Sequence, residues 1–65
     1  MPHVQIDTFA GKTEEQKKNL MQAVTRAVVE TLGVAPESVT IVVRDVPLSH
    51  WSMGGTPFSE LLAKK

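Results

Sequence analysis

The sequence predicts an α/β (α+β) fold: a single β-α-β unit with parallel strands, then a short hairpin or loop and a short C-terminal helix. Three observations carry this. An alternating apolar and polar run opens the chain, one long amphipathic segment follows, and a β-branched run comes directly after it. The links are short. A strand–helix–strand unit so connected is right-handed and sets its two strands parallel.

In the first run, Val4, Ile6 and Thr8 share a face with Pro2, while His3, Gln5, Asp7 and Phe9 share the other. That period of two marks a strand over His3–Phe9. Ala10-Gly11-Lys12 breaks it. Thr13-Glu14-Glu15-Gln16 has the spacing of a capping box, and its two glutamates suit the positive end of a helix dipole. Leu20, Val24, Ala27, Val28, Thr31 and Leu32 then recur at helical spacing, with Met21 widening the stripe and Lys17, Lys18, Gln22, Arg26 and Glu30 on other faces. One helix from about Glu14 to Leu32, stopped by Gly33, fits this pattern. After Pro36-Glu37-Ser38, the run Val39–Arg44 reads as a strand buried on both faces.

Beyond Val46-Pro47 periodicity ends. Ser49–Thr56 holds Trp51 and the diglycine Gly54-Gly55, which predicts a loop or tight hairpin. Thr56 as N-cap and Pro57 as first helical residue predict a short helix over Phe58–Lys65.

With 65 residues, no cysteine and 42% apolar content, residues 1–65 make one small domain with much to bury and no disulfide to help. One β-α-β unit covers only one sheet face, so the other face calls for a partner chain and an obligate oligomer. Seven basic and seven acidic residues cancel, and no basic patch indicates nucleic acid. No apolar stretch is long enough for a membrane, and no signal-peptide core is present. The expectation is a soluble cytoplasmic protein. His3 and His50 form no ligand pattern, so no metal is expected.

Chemically, the second residue stands out. A small residue there permits removal of Met1, which leaves Pro2 with a secondary amine that is both base and nucleophile. An α-amino group has an ordinary pKa of about 7.7–8.0, close to neutrality. Two other readings stay open: a proline merely beginning a strand, and a retained Met1 that keeps the nitrogen an amide.

Taken together, Pro2 behind Met1, a first strand ending in Ala10-Gly11-Lys12, the Thr13–Lys18 helix start, the β-branched second strand and His50-Trp51-Ser52-Met53-Gly54-Gly55 resemble the 4-oxalocrotonate tautomerase family of the tautomerase superfamily. The resemblance runs the full length. It implies β-α-β subunits that pair into four-stranded sheets and assemble as homo-oligomers, as hexamers that are trimers of dimers. It also implies a cofactor-free isomerase in which the terminal proline moves a proton on an enol or keto carboxylate.

By the same resemblance, Pro2 is the catalytic base. Lys12 stands where the family usually has an arginine that binds a substrate carboxylate. Trp51 stands where phenylalanine is common, as an apolar wall that lowers the dielectric around the amine. Thr40 stands where studied members place a second arginine, and a hydroxyl stabilises developing charge less well than a cation. Arg44 shares a strand face with Thr40 and Val42 by period two, which brings it toward the same rim; an exposed strand-end arginine pairing with another chain is the competing reading. The expected activity is keto–enol proton transfer in a small 2-hydroxy-dienoate or α-keto acid enol, and a monoacid suits these residues better than a diacid. The alternatives are a catalytically weak paralogue acting as a small-carboxylate-binding or structural oligomer, and Pro2-dependent hydratase or hydrolytic dehalogenase-like chemistry.

Overall fold

The computed structural model describes residues 1–63. Its elements follow the chain as β1 (His3–Phe9), α1 (Glu14–Leu32), β2 (Thr40–Val46), β3 (Ser52–Met53), β4 (Thr56–Pro57) and α2 (Phe58–Ala63). β1 and β2 pair parallel, with His3 opposite Thr40, Asp7 opposite Arg44 and Phe9 opposite Val46. β3 and β4 form a separate antiparallel hairpin. No helix among the described residues is long and apolar enough to cross a membrane.

Both ends of α1 are set by local chemistry. Thr13 Oγ1 accepts the Gln16 N–H at 3.0 Å, and Gln16 Oε1 accepts the Thr13 N–H at 2.9 Å. This reciprocal pair satisfies two backbone donors that a helix start otherwise leaves open. At the other end Gly33 takes a left-handed conformation, φ 69°, and donates to the Val29 carbonyl at 2.9 Å. The helix therefore runs over the residues that the capping box and glycine predict.

Three expectations are corrected. The inward stripe of α1 is rotated from the one drawn above: Met21, Val24, Thr25, Val28 and Val29 are half-buried, while Leu20, Ala27, Thr31 and Leu32 are exposed. A two-stranded sheet is too narrow to cover the whole apolar side, and Leu32 stays 61% exposed. Secondly, β2 is not enclosed on both sides within one chain. Ile41, Val43 and Val46 are half-buried, but Thr40, Val42 and Arg44 on the face away from α1 are exposed. Thirdly, Thr56 and Pro57 pair with Met53 and Ser52 instead of opening the last helix. Gly54 and Gly55, at φ 61° and 88°, close a two-residue turn whose handedness matches a hairpin. α2 starts at Phe58 as expected, but without Thr56 and Pro57 as its cap and first residue, and the Phe58 N–H donates to the Trp51 carbonyl at 2.7 Å. The C-terminal part of the expected helix, residues 64–65, lies outside the described residues.

Among the described residues none is fully buried. The Cα radius of gyration is 15.2 Å, against about 11 Å for a compact domain of this length. The accessible surface is 4829 Å², against about 4,100 Å² for a folded monomer of this mass. The radius reflects an elongated outline of 45 × 25 × 16 Å, and the extra surface includes the sheet face carrying His3, Gln5, Asp7, Thr40, Val42 and Arg44, which has no layer over it in a single chain.

Candidate functional site

Pro2 lies at the start of β1, half-buried, with an 89% exposed Met1 in front of it. Its carbonyl accepts the Thr40 N–H at 3.1 Å, which fixes the start of the first strand to the start of the second. The parallel register then sets Thr40 beside His3, and Thr40 Oγ1 lies 2.8 Å from His3 Nδ1. Pro2, His3 and Thr40 thus form one group at one end of the sheet. The alternation of β1 puts His3 and Thr40 on the open face and the Pro2 ring on the face of α1.

Lys12 lies past the opposite end of β1. It lines a cleft of about 230 Å³ with Thr8, Gln16, Lys17 and Leu20, on the helix side. The two ammonium groups of this cleft differ in availability. Lys17 Nζ is 2.7 Å from Asp45 Oδ2 and 3.0 Å from Glu14 Oε2, so its charge is matched from within. The Asp45 contact, then Glu14, holds its pKa above the ordinary lysine value. Lys12 makes no ion pair among the described residues and is the cation there that is open to an anionic ligand.

Trp51 belongs to a three-ring cluster with Phe9 and Phe58. Its ring centroid is 4.8 Å from that of Phe9 at 71°, and 6.4 Å from that of Phe58 at 86°; Phe9 and Phe58 are 5.2 Å apart. The two edge-to-face pairs of Trp51 favour the ring quadrupoles and hold the indole as a wall. On the open sheet face, Trp51 lines a shallow cleft of about 330 Å³ with Asp7, Arg44, Val46 and His50. Arg44 and Asp7 are register partners without an ion pair between them.

These residues do not converge within one chain. Pro2 and Thr40 sit at one end of the sheet, and Lys12, Arg44 and Trp51 gather toward the other. At strand rise, Pro2 and Phe9 are about 23 Å apart and Thr40 and Arg44 about 13 Å apart. Bringing Pro2 together with a cation and the aromatic rings in one pocket would take residues from more than one subunit. The alternation of β1 separates His3 from Pro2, but the contact of His3 with Thr40 depends on the pairing register, which the sequence does not show. Lys17 was assigned to an outer helix face and in fact turns toward Asp45 on β2.

The tautomerase enzyme family profile matches residues 2–61. The 2-hydroxymuconate tautomerase of Comamonas testosteroni is 41% identical over 61 residues, spanning 94% of this chain and 97% of its own. Among solved structures, one of the 4-oxalocrotonate tautomerase isozymes from Methylibium petroleiphilum superposes with a TM-score of 0.93 at 36% identity, over 98% of this chain and 100% of that one. A heterohexamer 4-oxalocrotonate tautomerase from Chloroflexus aurantiacus superposes with a TM-score of 0.87 at 31% identity, over 94% and 98% of the two chains. With a match that extends from Pro2 nearly to the C-terminus and a shared β-α-β fold, this chain belongs to the tautomerase family and, within it, to the 4-oxalocrotonate tautomerases.

Proposed function

We propose that this chain is a tautomerase that uses the secondary amine of Pro2, freed by removal of Met1, as general base for keto–enol proton transfer in a small 2-hydroxy-dienoate or α-keto acid enol. The observation that carries the reading is the family match that begins at Pro2, together with a fold that holds this residue half-exposed at the end of the sheet. The neutral amine takes the enol proton and returns it to carbon further along the conjugated system.

The remaining roles follow from what each side chain offers. Lys12 holds a substrate carboxylate as a point charge, without the planar fork of an arginine. Trp51, braced by Phe9 and Phe58, forms a dry wall that favours the uncharged amine. Arg44 brings a second cation to the rim beside Trp51. Thr40 presents a neutral hydroxyl near Pro2, so a monoacid suits the site better than a diacid. The separation of these groups in one chain supports a homo-oligomer, and the heterohexameric relative supports a hexamer; its arrangement as a trimer of dimers is what the family resemblance implies.

The test couples an intact-mass measurement of the amino terminus with turnover of a 2-hydroxy-2,4-dienoate, followed by loss of its dienol absorbance. Pro2→Ala is expected to lower kcat by about 10²–10⁴-fold with the assembly unchanged. Undiminished turnover in that variant, or a retained Met1 on the active protein, overturns the reading. Because Thr40 offers no charge, the second reading is an oligomer that binds small carboxylates and turns them over weakly; binding without Pro2-dependent turnover is its signature.

A further inference from the structure

We infer that His3 is a positioning residue whose protonation state sets the direction of the Thr40 hydroxyl, and with it the charge class of substrate that this chain accepts. The inference rests on Thr40 facing substrate, as proposed above.

Thr40 is held at two points. Its N–H is taken by the Pro2 carbonyl at 3.1 Å, and its Oγ1 lies 2.8 Å from His3 Nδ1. The backbone is therefore fixed and the only freedom left is the position of the hydroxyl hydrogen. A hydroxyl has one hydrogen to donate and two lone pairs to accept with. When Nδ1 of a neutral ring carries no hydrogen, the hydroxyl donates to it, and Oγ1 shows only lone pairs to its surroundings. Those repel a carboxylate or enolate oxygen. When the ring is an imidazolium, Nδ1–H donates and Oγ1 accepts. The hydroxyl hydrogen is then released toward substrate, with a positive charge directly behind it. Protonation thus turns a neutral threonine into a donor backed by charge, at the position where the sequence lacks a second arginine. Hydrogen bonds assisted by charge are about twice as strong as neutral ones.

The charged groups around the ring are few. On its face stand Gln5 and Asp7 from β1, and Thr40, Val42 and Arg44 from β2. Asp7 and Arg44 are opposite in sign and each about 13 Å away along the strands. α1 packs on the other face, and the charges nearest in sequence are the chain's own terminal amine and Glu37 in the turn before β2. Among the described residues no carboxylate forms an ion pair with His3.

The test uses the assembled mature protein. ¹⁵N spectra of the imidazoles, with His50→Gln to assign the second histidine, are expected to show neutral His3 with a bare Nδ1 and a protonated Nε2. The ratio of kcat/KM for a 2-hydroxy-2,4-dienedioate to that for its monocarboxylate counterpart is expected to rise about tenfold as pH falls through the His3 titration. His3→Asn keeps an amide against Thr40 but does not titrate, so its ratio is expected to stay flat, as is that of Thr40→Val. A hydrogen on Nδ1 of the neutral ring, or an unchanged pH dependence of the ratio in His3→Asn, overturns the inference. Absence of Pro2-dependent turnover on either substrate would sink the proposed reaction alone. The same ratio is then read from dissociation constants of saturated mono- and dicarboxylates, where the identical trend is expected and a flat trend overturns the role of His3.

Discussion

Lys17 ties the helix to the sheet through a single ammonium, 2.7 Å from Asp45 on β2 and 3.0 Å from Glu14 on its own helix. The side chain reaches Asp45 because its stem lies against the sheet, at 16% exposure. With the folded-state pKa raised above the ordinary lysine value, the contribution is complete below about pH 10.4 and is lost as pH rises through the raised value. Alkaline titration of Lys17→Met should therefore show a shallower decline of stability above pH 10 than the wild type, measured by thermal melts. An identical decline in both would place the alkaline transition elsewhere. At the helix start, Thr13→Ala removes the acceptor of the Gln16 N–H and is expected to lower stability by about 1 kcal/mol. In the proposed site, Lys12→Ala removes a contact made equally in ground and transition states. It should raise KM well beyond any fall in kcat, and steady-state kinetics separate the two.

At the level of elements, the β3–β4 hairpin depends on two consecutive glycines with positive φ. A Cβ at Gly54 or Gly55 would meet no atom within 4 Å, so the restriction is conformational and not steric. Gly54→Ala and Gly55→Ala are each expected to cost about 1–2 kcal/mol, with the loss seen first in the fluorescence of Trp51. A variant as stable as the parent would show that the turn tolerates another type. The same elements show how much the sequence discloses. Helix α1 was legible to the residue because Thr13, Gln16 and Gly33 are end signals that act over three or four positions. The hairpin was legible from Gly54-Gly55. Pro57 was misassigned because proline is equally suited to a first helical turn and to a strand end without a ladder donor, and only the pairing with Ser52 decides. The face of α1 was misplaced because the width of the sheet beneath it is a tertiary property. Each residue of the proposed site stands out singly in the sequence, but the distance between Pro2 and Trp51 follows from the direction of the strands and not from composition.

For the whole molecule, the extended shape and the lack of a buried interior mean that one chain does not complete a core. For the oligomer proposed above, stability is then inseparable from protomer concentration. Dilution is expected to lower the Tm and to abolish activity in step with loss of helical ellipticity, since dissociation would open the proposed pocket and uncover the sheet together. A Tm independent of concentration over a hundredfold range would contradict this. The two-stranded sheet has a further consequence, for colloidal behaviour. Among the described residues each strand bonds a neighbour on one side only, so every released subunit presents two backbone templates, one along β1 and one along β2. Union through one of them by a two-fold axis closes after a single step, whereas head-to-tail union through both has no natural end and grows into a ribbon. Conditions that weaken the native assembly without unfolding β1 and β2 should therefore favour fibres over monomers, and the order in which dilute protein passes from particle to filament would be visible in light scattering.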